Sequence, residues 1–195
     1  MSSRLEILGK SVRSLYEARK PDRADWADWM YDNHIFVVSD YAKILSGRFG
    51  IANPDMPMAA ALLHDIADAE IKRENPDHEK KSEEISLSFL IGAGFAESEV
   101  KIVVGDAIKF HGCKNGEKPK SPEGQIMATA DALAHLRTDF YDFALRELLK
   151  VETKTEIKGW ALPKIERDFN DKIFFDEVRE EARPYYERVK NLFAD

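Results

Sequence analysis

Two histidines and two aspartates occur within apolar segments of the sequence. His64 and Asp65 are adjacent in the alanine-rich run of residues 59–69, and His34 is followed by an apolar stretch. Asp131 interrupts the apolar, small-residue run IMATADALAHL. A buried imidazole or carboxylate is unfavourable unless something compensates it. Because nitrogen and oxygen ligands suit Mn, Fe, Co, Ni, Zn or Mg, we predict that these four residues bind a divalent metal ion, one per chain.

A further carboxylate lies close to the His-Asp pair. On a helix the side chains of His64 and Asp65 diverge by about 100°, so a common ion must sit between them. Asp68 follows His64 by four residues and Asp65 by three, so it shares their face if the helix continues. Asp68 could then accept a proton from a metal-bound water. We therefore predict catalytic roles for Asp65, as a ligand, and for Asp68, as the proton acceptor. The ligand Asp131 is the alternative acceptor.

The elements that must position these residues are predicted to be helices. Apolar residues recur at helical spacing along most of the chain, and no stretch alternates convincingly at a period of two. Residues 24–49 favour one long helix, residues 59–69 a second, and the segment around Asp131 a third, preceded by Ser121 as N-cap and Pro122. The Gly-, Lys- and Pro-rich residues 112–122 predict a surface loop that could cover a site.

Length and charge restrict the class of protein. A chain of 195 residues fits one domain of residues 1–195, since domains most often have about 100–150 residues. The formal net charge of −7 argues against a general binder of nucleic-acid polymers, which needs a basic face. A small charged substrate stays compatible with that charge.

Cysteine content and hydropathy indicate a cellular compartment. Cys113 is the only cysteine, so neither an intrachain disulfide nor a thiolate zinc cluster can form, and a reducing compartment is expected. The sequence has no signal-peptide pattern and no run of about 20 apolar residues that would cross a membrane. We expect a cytoplasmic protein without a membrane partner.

The order of these residues resembles a known family. A lone His34, the His64-Asp65 pair and a distant Asp131 within an ADAL-like helix resemble the HD superfamily of metal-dependent phosphohydrolases, over roughly Met30 to Arg137. The resemblance implies an all-α helical bundle, the same four residues as metal ligands, and a small phosphorylated substrate such as a nucleotide. On that basis we expect an HD core at about 24–140. Residues 141–195 then form a C-terminal helical extension whose aromatic side chains serve packing and could serve a homodimer.

Two more histidines resemble positions that recur in the family. Some members add histidines between the pair and the last aspartate and bind a second metal ion. His78 and His111 are candidates here, and we assign them to substrate phosphate. A solvent-facing His78 at a helix start stays open as an alternative.

Several other polar residues are weaker candidates. Lys72 and Arg73 follow the His-Asp pair, and Lys109 precedes His111, so these cations could neutralise a phosphate, although charges at helix ends are usually solvated. His135 shares a helix face with Asp131, but we expect it to be a partly exposed surface histidine.

The predicted function is hydrolysis of a phosphate ester or anhydride. Three alternatives are compatible with the same residues. The chain could be a non-catalytic regulatory module that binds a metal ion or a nucleotide. It could be a di-iron oxygenase, which needs both His78 and His111 as ligands. It could also be a purely structural helical domain whose inward polar residues satisfy each other.

Overall fold

The computed structural model describes residues 2–194, and within that range the chain is helical and contains no strand. The predicted all-α fold class is therefore confirmed. The helices are α1 (Ser3–Glu17), α2 (Ala27–Met30), α3 (Phe36–Arg48), α4 (Asp55–Leu63), α5 (His78–Gly92), α6 (Glu97–Ile102), α7 (Pro122–Arg137), α8 (Phe140–Leu148), α9 (Lys154–Asn170) and α10 (Asp176–Leu192). None of the helices between residues 2 and 194 is long and apolar enough to span a membrane.

Helix α7 forms the centre of the fold. It packs against α3, α4, α9 and α10, and every residue from Ile126 to Leu136 is buried. A helix that is buried all round needs apolar or small residues on all of its faces. The alternating alanines between Ala128 and Ala134 meet this requirement and let neighbouring helices approach closely. Any polar group between Ile126 and Leu136 therefore lies in the interior.

The long helix predicted over residues 24–49 forms as α2 and α3, but it is not regular. Its middle, Tyr31–Ile35, widens into a π-helical turn, and His34 lies in that turn. Single π-turns inside α-helices are rare and are often found at functional sites. The irregularity thus coincides with a predicted metal ligand.

The helix predicted over residues 59–69 ends earlier than expected, and that prediction is wrong in its second half. Helix α4 ends at Leu63, His64 is its C-cap, and Ile66–Ala69 form a 3₁₀ turn. The freed backbone finds a partner outside the helix, because the N–H of Ala67 donates to Ser82 Oγ. The His-Asp pair therefore lies at a helix end, where the two side chains need not diverge as they would within a helix.

The C-terminal helices share the core of the rest of the chain. Thr153 caps α9 in a capping box with Glu156. Buried apolar side chains form one cluster that extends from Leu5 to Phe193 and includes α9 and α10. The boundary between an HD core and an extension near residue 140 stays a prediction.

Candidate metal centre

Three of the four predicted ligands converge in the interior. His34 Nε2 lies 3.0 Å from Asp131 Oδ1, and His64 Nε2 lies 3.7 Å from the same oxygen. All three residues are buried, and none of these three atoms has a hydrogen-bond partner among the residues that the structure describes. Buried polar atoms are almost always satisfied, so three that face one another call for an explanation. Two imidazole nitrogens and a carboxylate oxygen fit a divalent cation between them.

The backbone fixes the orientation of His64. Its Nδ1 lies 2.8 Å from the carbonyl oxygen of Ala61, which can only accept a hydrogen bond. In the neutral ring Nδ1 therefore carries the proton, and the lone pair of Nε2 faces Asp131. Burial lowers the pKa of His34, which favours the neutral imidazole at that position. Metal coordination requires the neutral form of an imidazole.

Asp65 lies on the other side of His64. Its Oδ2 is 3.6 Å from His64 Nε2 and accepts a hydrogen bond of 2.9 Å from Arg73. Its Oδ1 is 3.9 Å from His111 Nε2, so His64, Asp65 and His111 form a second grouping that could hold a metal ion. Burial would raise the pKa of Asp65, but Arg73 and His64 hold it well below its ordinary value. Its role as a ligand of the same ion as His34 stays a prediction.

Asp68 lies behind the cleft. It is fully buried, His78 Nε2 lies 2.7 Å from its Oδ1, and Arg73 donates to its Oδ2. Both oxygens are therefore engaged, and of the two partners only His78 could pass a proton to Asp68, because a guanidinium is not deprotonated in proteins. His78 itself is buried, so the alternative of a solvent-facing residue is wrong.

Asp131 has a buried cation of its own. Lys172 Nζ donates to Asp131 Oδ2, and it lies 3.5 Å from Asp168 Oδ1. Burial alone would raise the pKa of Asp131, but His135 and Lys172 hold it well below its ordinary value. The two carboxylates likewise raise the pKa of Lys172 against the effect of burial. Asp131 therefore stays anionic, with Oδ2 fixed and Oδ1 directed at the two histidines.

His135 is not at the surface, so that expectation is wrong. It is buried, its ring stacks on His34 at 4.8 Å, and its Nδ1 lies 3.2 Å from Asp168 Oδ2. Helices α8 and α9 cover this side of α7, which nothing local to residue 135 indicates. Burial lowers the pKa of His135 to about 3 despite the nearby carboxylates.

Helix α9 supplies site residues that the sequence analysis missed. Lys164 and Asp168 lie on α9 and Lys172 follows it, all at a spacing of four residues and therefore on one side. That side faces α7, and Tyr141 of the neighbouring α8 donates to Asp168 at 2.6 Å. The regular spacing of these polar residues is the signal in the sequence that could have identified them.

A cleft of about 560 Å³ opens next to the candidate ligands. His78, His111 and Lys109 line it, so three of the four predicted substrate-binding residues lie at the site. Lys72 is the exception, because it is exposed and pairs with Asp25 away from the cleft lining. Lys109 is exposed and lies 5.4 Å from the ring of Phe110.

All five histidines of the chain gather at this centre. The rings of His34 and His64 are 5.6 Å apart, and those of His64 and His111 are 5.1 Å apart. His111 donates its Nδ1 proton to the Ile108 carbonyl at 2.6 Å, and burial lowers its pKa to about 4. Its Nε2 is therefore a free acceptor beside Asp65.

Comparison with known families agrees with this geometry. Residues 31–136 match the HD domain, which is more than half of the chain, so the protein belongs to the HD-domain family of metal-dependent phosphohydrolases. No curated protein and no solved structure matches the chain. The matched segment contains the three converging ligands and ends at the C-terminal end of α7. Helix α9, with Lys164 and Asp168, lies outside it.

Proposed function

We propose that this HD-domain protein hydrolyses a phosphate ester or anhydride of a small molecule, of the nucleotide class. The observation that carries the proposal is the set of three buried, unpartnered ligand atoms of His34, His64 and Asp131. They lie beside a cleft whose lining carries lysine and arginine side chains. A metal centre next to lysine and arginine side chains suits a phosphorylated substrate better than a neutral one.

The metal ion would be held by His34, His64, Asp65 and Asp131. When bound, a divalent ion polarises a phosphoryl oxygen and lowers the pKa of a bound water. Lys172 keeps Asp131 anionic and fixes its second oxygen. A buried cation of the protein thus keeps this ligand in the charged form that a metal ion binds.

The remaining groups of the cleft would bind the substrate and move protons. Lys109 and His111 line the cleft and would contact phosphate oxygens or the water. His78 also lines it, and its Nε2 lies 2.7 Å from Asp68 Oδ1. A proton released at the cleft would therefore pass to the His78-Asp68 pair, with His78 as the group that touches the cleft.

A turnover screen tests the proposal. The purified chain is incubated with a broad set of phosphate compounds in the presence of Mn, Fe, Co, Ni, Zn or Mg, and phosphate release is measured. We expect Asp65→Ala to lose bound metal and hydrolysis while its circular dichroism stays helical. Asp40→Ala removes an exposed carboxylate from α3 and serves as the matched control. Full metal content and full hydrolysis in Asp65→Ala would show that the site is misassigned.

A second candidate function is a non-catalytic module that binds metal or nucleotide. Arg73 favours this candidate, because it donates a hydrogen bond to one carboxylate oxygen of Asp65 and to one of Asp68. Those two oxygens are then occupied and less available to a metal ion or a proton. Ligand binding without turnover for any compound in the screen would support this candidate. A di-iron oxygenase needs two ions per chain, so metal counting separates it from both. A cytoplasmic location and a homodimer stay predictions from the sequence.

A further inference from the structure

One wall of the cleft is formed by α9, outside the segment that matches the HD domain. Trp160, Lys164 and Arg167 lie at spacings of four and three residues, so they share one side of this helix, and all three line the cleft. Trp160 is 37% exposed and is the only aromatic residue among the exposed large hydrophobic side chains of residues 2–194. An aromatic ring and two cations therefore face the same space.

Arg167 lacks a partner that would explain its position. Among residues 2–194 no carboxylate forms an ion pair with it, and its Nε is buried without a hydrogen-bond acceptor. It lines the cleft and also an adjoining cavity of about 520 Å³. A guanidinium presents N–H donors in a planar fork that matches phosphate oxygens. The unused donors of Arg167 are thus available to an anion that enters the cleft.

The charges around Arg167 support an anionic ligand. Asp131 already has Lys172 as its cation, and Asp65 already has Arg73. Arg167 is therefore not needed to neutralise a carboxylate at the centre. A divalent ion bound between the histidines would add further positive charge on the same side of the cleft.

Lys164 connects this surface to the metal centre. Its Nζ lies 3.2 Å from His135 Nδ1 and 3.4 Å from Asp168 Oδ2. The residue is one helical turn from both Trp160 and Arg167, and four residues of helix rise by about 6 Å. A ligand that contacts all three residues would place its charged end near Lys164 and Arg167 and its other end against Trp160.

We propose that Trp160, Lys164 and Arg167 form the substrate-recognition face of the cleft and select a phosphate ester whose organic part carries a flat ring. Lys164 and Arg167 bind the phosphate oxygens, and Trp160 stacks on the ring, because an indole presents a large apolar face at little conformational cost. The inference deepens the proposed function and rests on the same cleft, but it concerns binding and needs no turnover.

Equilibrium binding to the full chain tests this inference. The probes are adenosine 5′-monophosphate and ribose 5-phosphate, which share the sugar phosphate and differ in the ring. Titrations are done by calorimetry on metal-stripped protein, so that no probe is hydrolysed. We expect the nucleotide to bind about tenfold more tightly than the sugar phosphate, since one stacked base contributes roughly that factor.

Variants separate the two contacts. Arg167→Gln should weaken both probes about tenfold, because both carry the phosphate. Trp160→Leu should weaken only the nucleotide, and Trp160→Phe should retain most of its affinity. Lys154→Gln removes an exposed cation at the start of the same helix and should change neither probe. Circular dichroism of each variant shows whether the fold is intact.

The binding results test the ring contact and the phosphate contact separately. Equal affinity for the two probes, or an unchanged nucleotide affinity in Trp160→Leu, overturns the ring contact. Unchanged phosphate binding in Arg167→Gln overturns the anion contact. If the binding pattern holds but no phosphate compound is turned over, the proposed hydrolysis fails and this inference stands. If hydrolysis occurs while the variants bind both probes like the wild type, the proposed hydrolysis stands and the recognition face is wrong.

Discussion

Lys172 is the buried cation on which the inner carboxylates of the site depend. It donates to Asp131 Oδ2, lies 3.5 Å from Asp168 Oδ1, and its side chain is only 3% exposed. Lys172→Met keeps an apolar stem of similar length but removes the charge. Both carboxylates then lose a cation in an environment where solvent cannot replace it.

The size of the effect follows from this burial. Removing one partner of a buried ion pair costs about 3–5 kcal/mol, because the other charge stays buried without compensation. Asp168 keeps Lys164 and Tyr141 as partners, so the loss falls mainly on Asp131. We therefore expect the free energy of unfolding of the metal-free variant to fall by about 3 kcal/mol. A saturating divalent ion should reduce the difference from wild type, because it brings positive charge back to Asp131.

Urea denaturation followed by circular dichroism measures this change. Lys190→Met is the matched control, since Lys190 pairs with Glu166 at 2.7 Å but the two side chains are 45% and 42% exposed. An exposed pair of this kind contributes at most about 1 kcal/mol. If Lys172→Met loses no more stability than Lys190→Met, the account of the buried charges is wrong.

Three further predictions concern other parts of the chain. The metal-free protein should lose stability as the pH falls from about 6.5 towards 4. Burial lowers the pKa of His111 to about 4 and that of His135 to about 3, so the unfolded chain binds more protons than the folded chain in this pH range. Urea midpoints that rise on acidification would contradict this prediction. Burial raises the pKa of Cys113 to about 11, so an aromatic disulfide reagent should label it slowly at pH 8, and labelling as fast as in the urea-unfolded chain would refute this. Thr153→Ala should lower the free energy of unfolding by about 1 kcal/mol through loss of the α9 cap, without changing metal affinity; an unchanged urea midpoint would speak against the cap.

Local signals in the sequence predicted most of the helices. Ser121 caps α7 by accepting a hydrogen bond of 3.0 Å from the N–H of Gly124, as the Ser-Pro pair indicates. The unfavourable placement of His34, His64 and Asp131 in apolar segments predicted that they meet, and they do. Helical periodicity and the cost of burying polar groups are both readable from residues close in sequence.

Long-range packing accounts for the errors. The run from Ala59 to Ala69 contains no Gly or Pro, so nothing local indicates that α4 ends at Leu63. The burial of His135 depends on α8 and α9 covering α7. For the same reason the inward position of Lys172 could not be predicted, since a lysine is rarely buried unless it is paired and its partner is distant in sequence.

The number and affinity of bound metal ions test the central claim most directly. Metal-stripped protein is titrated with Mn²⁺ by calorimetry, and the bound ion is counted by elemental analysis. We predict one ion per chain in the wild type. We expect His34→Gln and Asp131→Asn to bind the ion about tenfold or more weakly, with both variants still helical by circular dichroism. A wild type that binds no divalent ion, or variants that bind it as tightly as the wild type, would contradict the account.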